Sequence, residues 1–407
     1  MHTTMATENN NKSLNVPNLR FPEFSGEWTK TKLGDIGTTL IGLTYSPKDV
    51  VPSGGTIVLR SSNIKGGLTD YNDIVRVNKK IKESIITRVD DLLICARNGS
   101  ARLIGKNAIL KQEDCGHTFG AFMMVYRAQN NKFVHQLLNT KRYYAQVGEN
   151  LGARINQITT SDLNSFEFYF PQTLNEQNKI ASLLSLLDDR IATQIKIIEK
   201  LESLIRGIVE TYYSQSECVN QVRISELGEP FSTMNMSKED LSEEGNECIL
   251  YGELFTTYGC VIKEVKSRTH ISINKATVSQ SNDLLFPAST TVDAMSLIAP
   301  SAICKEGVIL GGDLFGVHVN KNYNNEYLSY LINYIYKSKL ARYAQGSTII
   351  HLHYSDIKNA TLLLPTIEEQ NYLAHIMRGV EEKINIEKDM LSKLYSQKAY
   401  LLSNLFI

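Results

Sequence analysis

One pattern occurs twice in this chain of 407 residues. Pro171-Gln172-Thr173-Leu174-Asn175-Glu176-Gln177-Asn178 is echoed by Pro365-Thr366-Ile367-Glu368-Glu369-Gln370-Asn371, and each copy opens a long helical stretch. In the first stretch apolar residues recur at spacings of three and four: Leu184, Leu187, Ile191, Ile198, Leu201, Ile205, Ile208 and Tyr212. Adding 193 to each number gives Met377, Val380, Ile384, Leu391, Leu394, Lys398, Leu401 and Leu405, so the second stretch departs only at Lys398. Even the polar interruption is shared, by Gln194 and Glu387. A duplicated unit of about 190 residues predicts two similar binding surfaces on one chain.

The regions between the helices repeat an order of elements. Lys32-Leu33-Gly34-Asp35-Ile36-Gly37 is answered by Arg223-Ile224-Ser225-Glu226-Leu227-Gly228, and Asp91-Leu92-Leu93-Ile94 by Asp283-Leu284-Leu285-Phe286. Ile57–Arg60, Asp91–Cys95 and Ala121–Tyr126 read as strands from their β-branched and aromatic content, and Gly54-Gly55, Gly66-Gly67 and Asn98-Gly99 as turns. A helix is predicted over Phe133–Tyr144, answered by Tyr327–Ile332. Gly152 stands nine residues before Ser161-Asp162-Leu163, as Gly346 does before Ser355-Asp356-Ile357. The loops between strands have diverged, which predicts two sites of one kind with different targets.

Each long helix, read as about 35 residues, would span roughly 50 Å. Its 3.5-residue period predicts that the two pair as a coiled coil, with Gln194 and Glu387 as a polar layer setting register. Lys398 is expected at a frayed end. The fold class is therefore mixed α/β (α+β), with two tandem domains, paired antiparallel long helices and a pseudo-twofold internal repeat. Five segments are expected: a leader and extended arm at 1–27, domains at 28–170 and 217–365, and helical spacers at 171–216 and 366–407.

Composition narrows the class further. No run of 18 apolar residues predicts a membrane span. The polar stretch Met1–Ser13 lacks the apolar core of a signal peptide and reads as the disordered leader of a cytoplasmic protein. Cys95, Cys115, Cys218, Cys248, Cys260 and Cys304 never fall in a CxxC pair, so free thiols are expected rather than zinc or disulfides. Net charge is zero, but Trp28–Phe170 holds 19 Lys and Arg against 12 Asp and Glu, whereas Cys218–Leu364 holds 12 against 15. A second domain that binds DNA must then do so through a local patch.

Catalytic signatures are weak. Gly99–Lys106 has the wrong glycine spacing for a phosphate loop and ends in Asn107 rather than Ser or Thr. Glu264-Val265-Lys266 has the spelling of a nuclease triplet, but alternating surface charge explains it. His351-Leu352-His353 puts two imidazoles on one strand face without an evident third ligand, so no metal site is expected.

Taken together, the segment Val16-Pro17-Asn18-Leu19-Arg20-Phe21-Pro22-Glu23-Phe24-Ser25-Gly26-Glu27-Trp28, the Lys32–Ile36 start, the Asp91–Ile94 strand and the twice-used Pro-to-Glu-Gln opening carry a family likeness. The chain resembles the specificity subunit of type I restriction-modification enzymes, close to the staphylococcal kind. The resemblance implies two target recognition domains, each reading half of a bipartite asymmetric sequence in double-stranded DNA. It implies that the paired helices (Leu184, Leu187, Ile191, Ile198 and Leu201 against Met377, Val380, Ile384, Leu391 and Leu394) are spacer and docking surface for two modification (methyltransferase) subunits and for restriction subunits. This chain would be non-catalytic and hold no cofactor. S-adenosylmethionine, ATP and magnesium would belong to the partners.

With loop position, the resemblance points to DNA contacts at Arg60, Ser61, Ser62, Asn63, Arg97, Asn98, Gly99, Ser100, Arg102, Arg154 and Asn156 in the first domain. In the second it points to Tyr251, Gly252, Ser289, Thr290, Thr291, Thr348, His351 and His353. Arg can donate two hydrogen bonds to guanine and Asn can pair with adenine. The second set holds no Arg or Lys, so readout through hydroxyls, backbone and water is expected there. Two rival classes are a recognition module of a self-sufficient methyltransferase or nuclease, and a coiled-coil scaffold that binds protein only.

Overall fold

The computed structural model describes residues 15–151, 156–215 and 220–407. The chain divides into two compact units, Met1–Thr193 with Leu391–Ile407, and Gln194–Met390. Each holds one mixed α/β domain and a portion of both long helices, Leu174–Gln215 and Ile367–Leu405.

The two domains share one pairing scheme. In the first, Gly37–Ile41, Met123–Ala128, Leu92–Cys95 and Asn107–Ile109 form an antiparallel sheet in that order. A second sheet sets Thr118–Phe119 parallel to Thr56–Leu59, which pairs antiparallel with Val75–Val77 and then Val50–Val51. In the second unit Gly228–Ser232, Leu314–Val319, Asp283–Pro287 and Ser301–Ile303 repeat the first sheet and add Val261–Ile262 in parallel at its edge. Ile309–Gly311, Asn246–Leu250, Ser267–Thr269 and Leu241–Ser242 repeat the other. A two-stranded clasp closes each domain, Thr29–Lys32 on Glu167–Phe170 and Asn220–Arg223 on Thr361–Leu364. The repeated glycine has a steric cause. A Cβ on Gly37 would lie 2.2 Å from the Tyr126 hydroxyl, and one on Gly228 only 1.9 Å from the His318 carbonyl.

Leu92–Cys95 reads as an unbroken apolar run because both of its faces are covered. Leu92 and Ile94 enter a core with Trp28, Tyr126, Phe133 and Phe168, while Leu93 and Cys95 enter another with Ile57, Leu59 and Phe119. The first of these cores extends to Ile180, Leu184, Leu405 and Phe406 of the long helices.

The long helices run 42 and 39 residues. Their pairing is antiparallel. In the second unit the Gln194 amide meets Glu387, and the Tyr212 hydroxyl meets Glu369. In the first unit Lys398 lies 2.6 Å from Asp188. Of the predicted stripe, Leu184, Leu187, Ile191, Ile198, Met377, Ile384 and Leu394 are buried, and Leu201, Val380 and Leu391 are half-buried. Lys398 does not fray: it replaces an apolar contact by an ion pair with a helical neighbour inside ordered helix. The predicted helix Phe133–Tyr144 is also two helices, Asn131–Leu137 and Lys141–Leu151. Thr140 makes the break, its hydroxyl donating to the Leu137 carbonyl at 2.7 Å and accepting from the Tyr143 amide at 3.3 Å.

Candidate nucleic-acid interface

Both domains build a cleft on the same backbone frame. In the first, the amides of Ala96 and Arg97 donate to the Phe122 carbonyl at 2.9 and 3.0 Å, and the Ile158 amide donates to the Ala96 carbonyl at 2.9 Å. Arg97 bridges Gln157. In the second, the Ala288 amide donates to the Asp313 carbonyl at 2.8 Å, the Leu352 amide to the Ala288 carbonyl at 2.9 Å, and Ser289 pairs with His351. Leu59 beside Phe119 corresponds to Leu250 beside Gly311. One frame thus presents Arg60, Arg97, Asn98, Phe122 and Gln157 in the first unit, and Tyr251, Ser289, Thr290, Asp313 and His351 in the second.

The first cleft, about 470 Å³, brings together Thr44, Tyr45, Arg60, Ser61, Ser62, Arg97, Asn98 and Phe122. Asn98 ties two loops, donating to the Ser61 hydroxyl at 2.9 Å and accepting from the Ser100 amide at 3.0 Å. Asn156 donates to the Gly99 carbonyl at 2.9 Å from a left-handed backbone, φ 44°, which asparagine tolerates. Five predicted residues around this cleft (Ser61, Asn98, Gly99, Ser100, Asn156) are therefore one hydrogen-bonded cluster. Arg60 pairs with Asp73 at 2.7 Å.

Asn63 leaves the candidate set. It is 1% exposed, accepts from the Arg60 amide at 2.8 Å and donates to the Asp70 and Asp73 carbonyls, both at 2.9 Å. Its amide holds the loop and has no donor left to read a base. Arg102 is exposed on the short turn Ala101–Leu103, outside the cleft lining. Arg154 lies outside the described residues.

The second cleft, about 710 Å³, is lined by Tyr251, Gly252, Ser289, Thr290, Thr291, Val292, Asp313, Lys337, Ile349 and His351, among others. Ser289 and Thr290 sit in a two-stranded ribbon with Ile350–His351 and are only 6% and 9% exposed, so they face the cleft floor. Thr291 and Thr348 are exposed, Thr348 outside the lining. Burial holds the Lys337 ammonium below the ordinary lysine range. The strand ends at His351, so His351 and His353 do not share a strand face, but their rings stack with centroids 6.2 Å apart. The His353 amide donates to Asp356 at 2.8 Å, which makes His353 the cap of the helix Tyr354–Ile357. No group of three or more His, Cys, Asp or Glu among the described residues is arranged to hold a metal ion.

Residue reading missed Phe122, Tyr45, Asp313 and Lys337. Phe122 lay inside an apolar run that reads as strand, but the strand begins at Met123 and leaves Phe122 58% exposed in the preceding turn. Arg97 lies over its ring, 5.1 Å from the centroid.

Comparison with known proteins agrees with this duplicated arrangement. A family model for the type I restriction modification DNA specificity domain matches twice, over residues 25–203 and 217–395. The chain is 24% identical over 416 residues to a putative type I restriction enzyme MjaX specificity subunit of Methanocaldococcus jannaschii, covering 94% of each. It is 24% identical over 193 residues to the type I restriction enzyme StySPI specificity subunit of Salmonella potsdam, covering 44% of this chain and 40% of that one. The S subunit of the type I restriction-modification system from M. genitalium has a similar fold, with a TM-score of 0.61 at 16% identity over 96% of this chain and 99% of that one. The chain belongs to the type I restriction-modification DNA specificity family.

Proposed function

We propose that this chain selects the DNA target of a type I restriction-modification complex, each unit reading one half of a bipartite asymmetric sequence. The observation that carries this reading is one backbone frame with its cleft side chains exchanged: Arg97, Asn98 and Phe122 in one unit stand where Ser289, Thr290 and Asp313 stand in the other. A retained scaffold with replaced tips is what two readers of different sequences need. Arg and Asn in the first cleft suit guanine and adenine edges, and the hydroxyls, Val292 and Ile349 of the second suit thymine methyls and bridging water.

The long helices dock the partners. Leu186, 69% exposed, and Leu183, Ile197 and Leu204 leave the first helix with apolar side chains in water, as do Tyr372, Ile386 and Tyr400 the second. Exposed apolar stripes of this kind suit partner subunits, here two modification subunits and the restriction subunits. Methyl transfer from S-adenosylmethionine and ATP- and magnesium-dependent steps are assigned to those partners, and the chain itself contributes recognition without catalysis.

The test is sequencing of genomic methylation with this chain co-expressed with its modification subunit, and again without it. A bipartite methylated motif that requires the chain is the expected result. Co-purifying partners with no sequence-selective methylation or binding would leave the protein-only scaffold as the better description.

A further inference from the structure

We propose that Arg97, seated on Phe122, reads a guanine in the half-site of the first unit, and that the neighbouring Arg60 reads no base. The inference rests on the DNA-recognition reading above and names the residue that sets one position of it.

The two arginines of the first cleft differ in what their guanidinium groups are free to do. Arg60 already has a carboxylate partner: its Nη2 lies 2.7 Å from the Asp73 carboxylate and 3.4 Å from the Asp73 carbonyl, and its Nε is buried. Arg97 is exposed, and no carboxylate among the described residues pairs with it. Its guanidinium carbon lies over the Phe122 ring, 5.1 Å from the centroid. Both residues are fixed by one backbone acceptor, because the Arg97 amide donates to the Phe122 carbonyl at 3.0 Å. A guanidinium held over a ring face and free of a carboxylate keeps N–H donors for two parallel hydrogen bonds to guanine O6 and N7. The aromatic seat also lowers the rotamer freedom lost on binding. It accounts for a phenylalanine left 58% exposed at a turn, where burial would otherwise be favoured. The second unit has Ser289 and Asp313 at the corresponding places, so this device belongs to one half-site only.

The experiment uses the chain in complex with its co-expressed modification subunit. Binding is measured on duplexes in which each position of both half-sites is varied in turn, and methylation is sequenced in parallel. The wild-type complex should require a G·C pair at one first-half-site position. Arg97→Ala should flatten that preference alone, weaken binding to the target roughly ten- to hundredfold, and leave the second half-site unchanged. Arg97→Lys keeps the charge without the planar fork, and should lose the same preference while keeping part of the affinity. Phe122→Ala should weaken the preference at the same position. Arg60→Ala should change no base preference. Thermal melting of Arg97→Ala should match wild type, since the side chain is exposed. A loss of affinity uniform over all duplexes would make Arg97 a phosphate contact and overturn the proposal, as would an unchanged preference or a first half-site of A·T pairs alone. In each of those cases the wild-type complex still selects a sequence. A wild-type complex that selects none would overturn the DNA-recognition reading with it.

Discussion

Asp91 and Asp283 occupy the same place in the two units and meet different basic side chains. Asp91 accepts from the Arg88 amide at 2.9 Å and from two nitrogens of Arg127, both at 2.7 Å. Asp283 accepts from the Gln280 amide at 2.8 Å and lies 2.6 Å from Nδ1 of His318, and burial holds its carboxyl above the usual range. Arg127→Ala would leave a buried carboxylate without its cation, so a loss of roughly 3–5 kcal/mol is expected, measured by urea unfolding. A loss below about 1 kcal/mol would mean that the pair contributes little. The two aspartates were visible in the sequence because a strand start is local. Their partners were not, since pairing across strands joins residues 36 and 35 positions apart. His135 gives a pH prediction. Burial, with Lys398 adding and Asp188 opposing, pushes its imidazole down from 6.5 to about 4. Between those values the unfolded chain binds the proton and the folded chain does not, so stability falls as pH drops through this window and rises again with pH. The loss should reach roughly 2–3 kcal/mol, and His135→Leu should remove that part of the acid sensitivity. Identical melting shifts between pH 7 and 4.5 in both proteins would refute the assignment.

At the scale of elements, the repeated Glu-Gln-Asn opening has a structural cause that the sequence did not disclose. Asn130 caps the helix Asn131–Leu137 and donates to Asn178 at 2.9 Å; Asn324 caps Asn325–Leu331 and donates to Asn371 at 2.8 Å. Further along, the Gln136 amide donates to Asp188 at 3.1 Å, and the Tyr330 hydroxyl donates to Glu381 at 2.5 Å. Each domain is thus fastened to its long helix at corresponding places. The glutamates have diverged in role. Glu369 closes a capping box on the Thr366 amide at 3.1 Å, whereas Glu176, 2% exposed, turns to Arg20 at 2.8 and 2.9 Å and to the Trp28 indole at 3.2 Å. The lead-in segment is held by that carboxylate. The helices themselves were legible because their periodicity is local, and the fastenings were not because their donors lie about fifty residues away. Glu381 also accepts from the Cys260 amide at 3.0 Å, and burial raises its carboxyl above the usual range. Glu381→Ala would strand both donors and should cost roughly 2–4 kcal/mol. Glu381→Gln keeps an acceptor and should cost less. Equal losses for the two variants, measured by thermal melting, would argue that packing rather than these hydrogen bonds holds the helix.

At the scale of the whole molecule, the duplication makes a prediction about modularity. Each domain has its own cores, its own clasp and its own cleft frame, closed by hydrogen bonds within its unit. Among the described residues, the lining of the first cleft falls within residues 43–123. Exchanging residues 28–170 for the matching segment of a relative should therefore change one half-site of the methylated motif and leave the other intact. The exchange has a condition set by the fastenings. The incoming segment must supply a donor for Asn178 where Asn130 stands, a donor for Asp188 where Gln136 stands, and an indole for Glu176 where Trp28 stands. A segment lacking these should fail through loss of folding, visible as a lowered melting temperature, rather than through altered specificity. The exchange should also alter salt dependence. The segment carries 19 basic against 12 acidic residues, so a less basic replacement should flatten the fall of affinity with salt. Methylation sequencing of a chimera that melts like wild type decides the matter: a motif altered in both halves would mean that the units do not read independently.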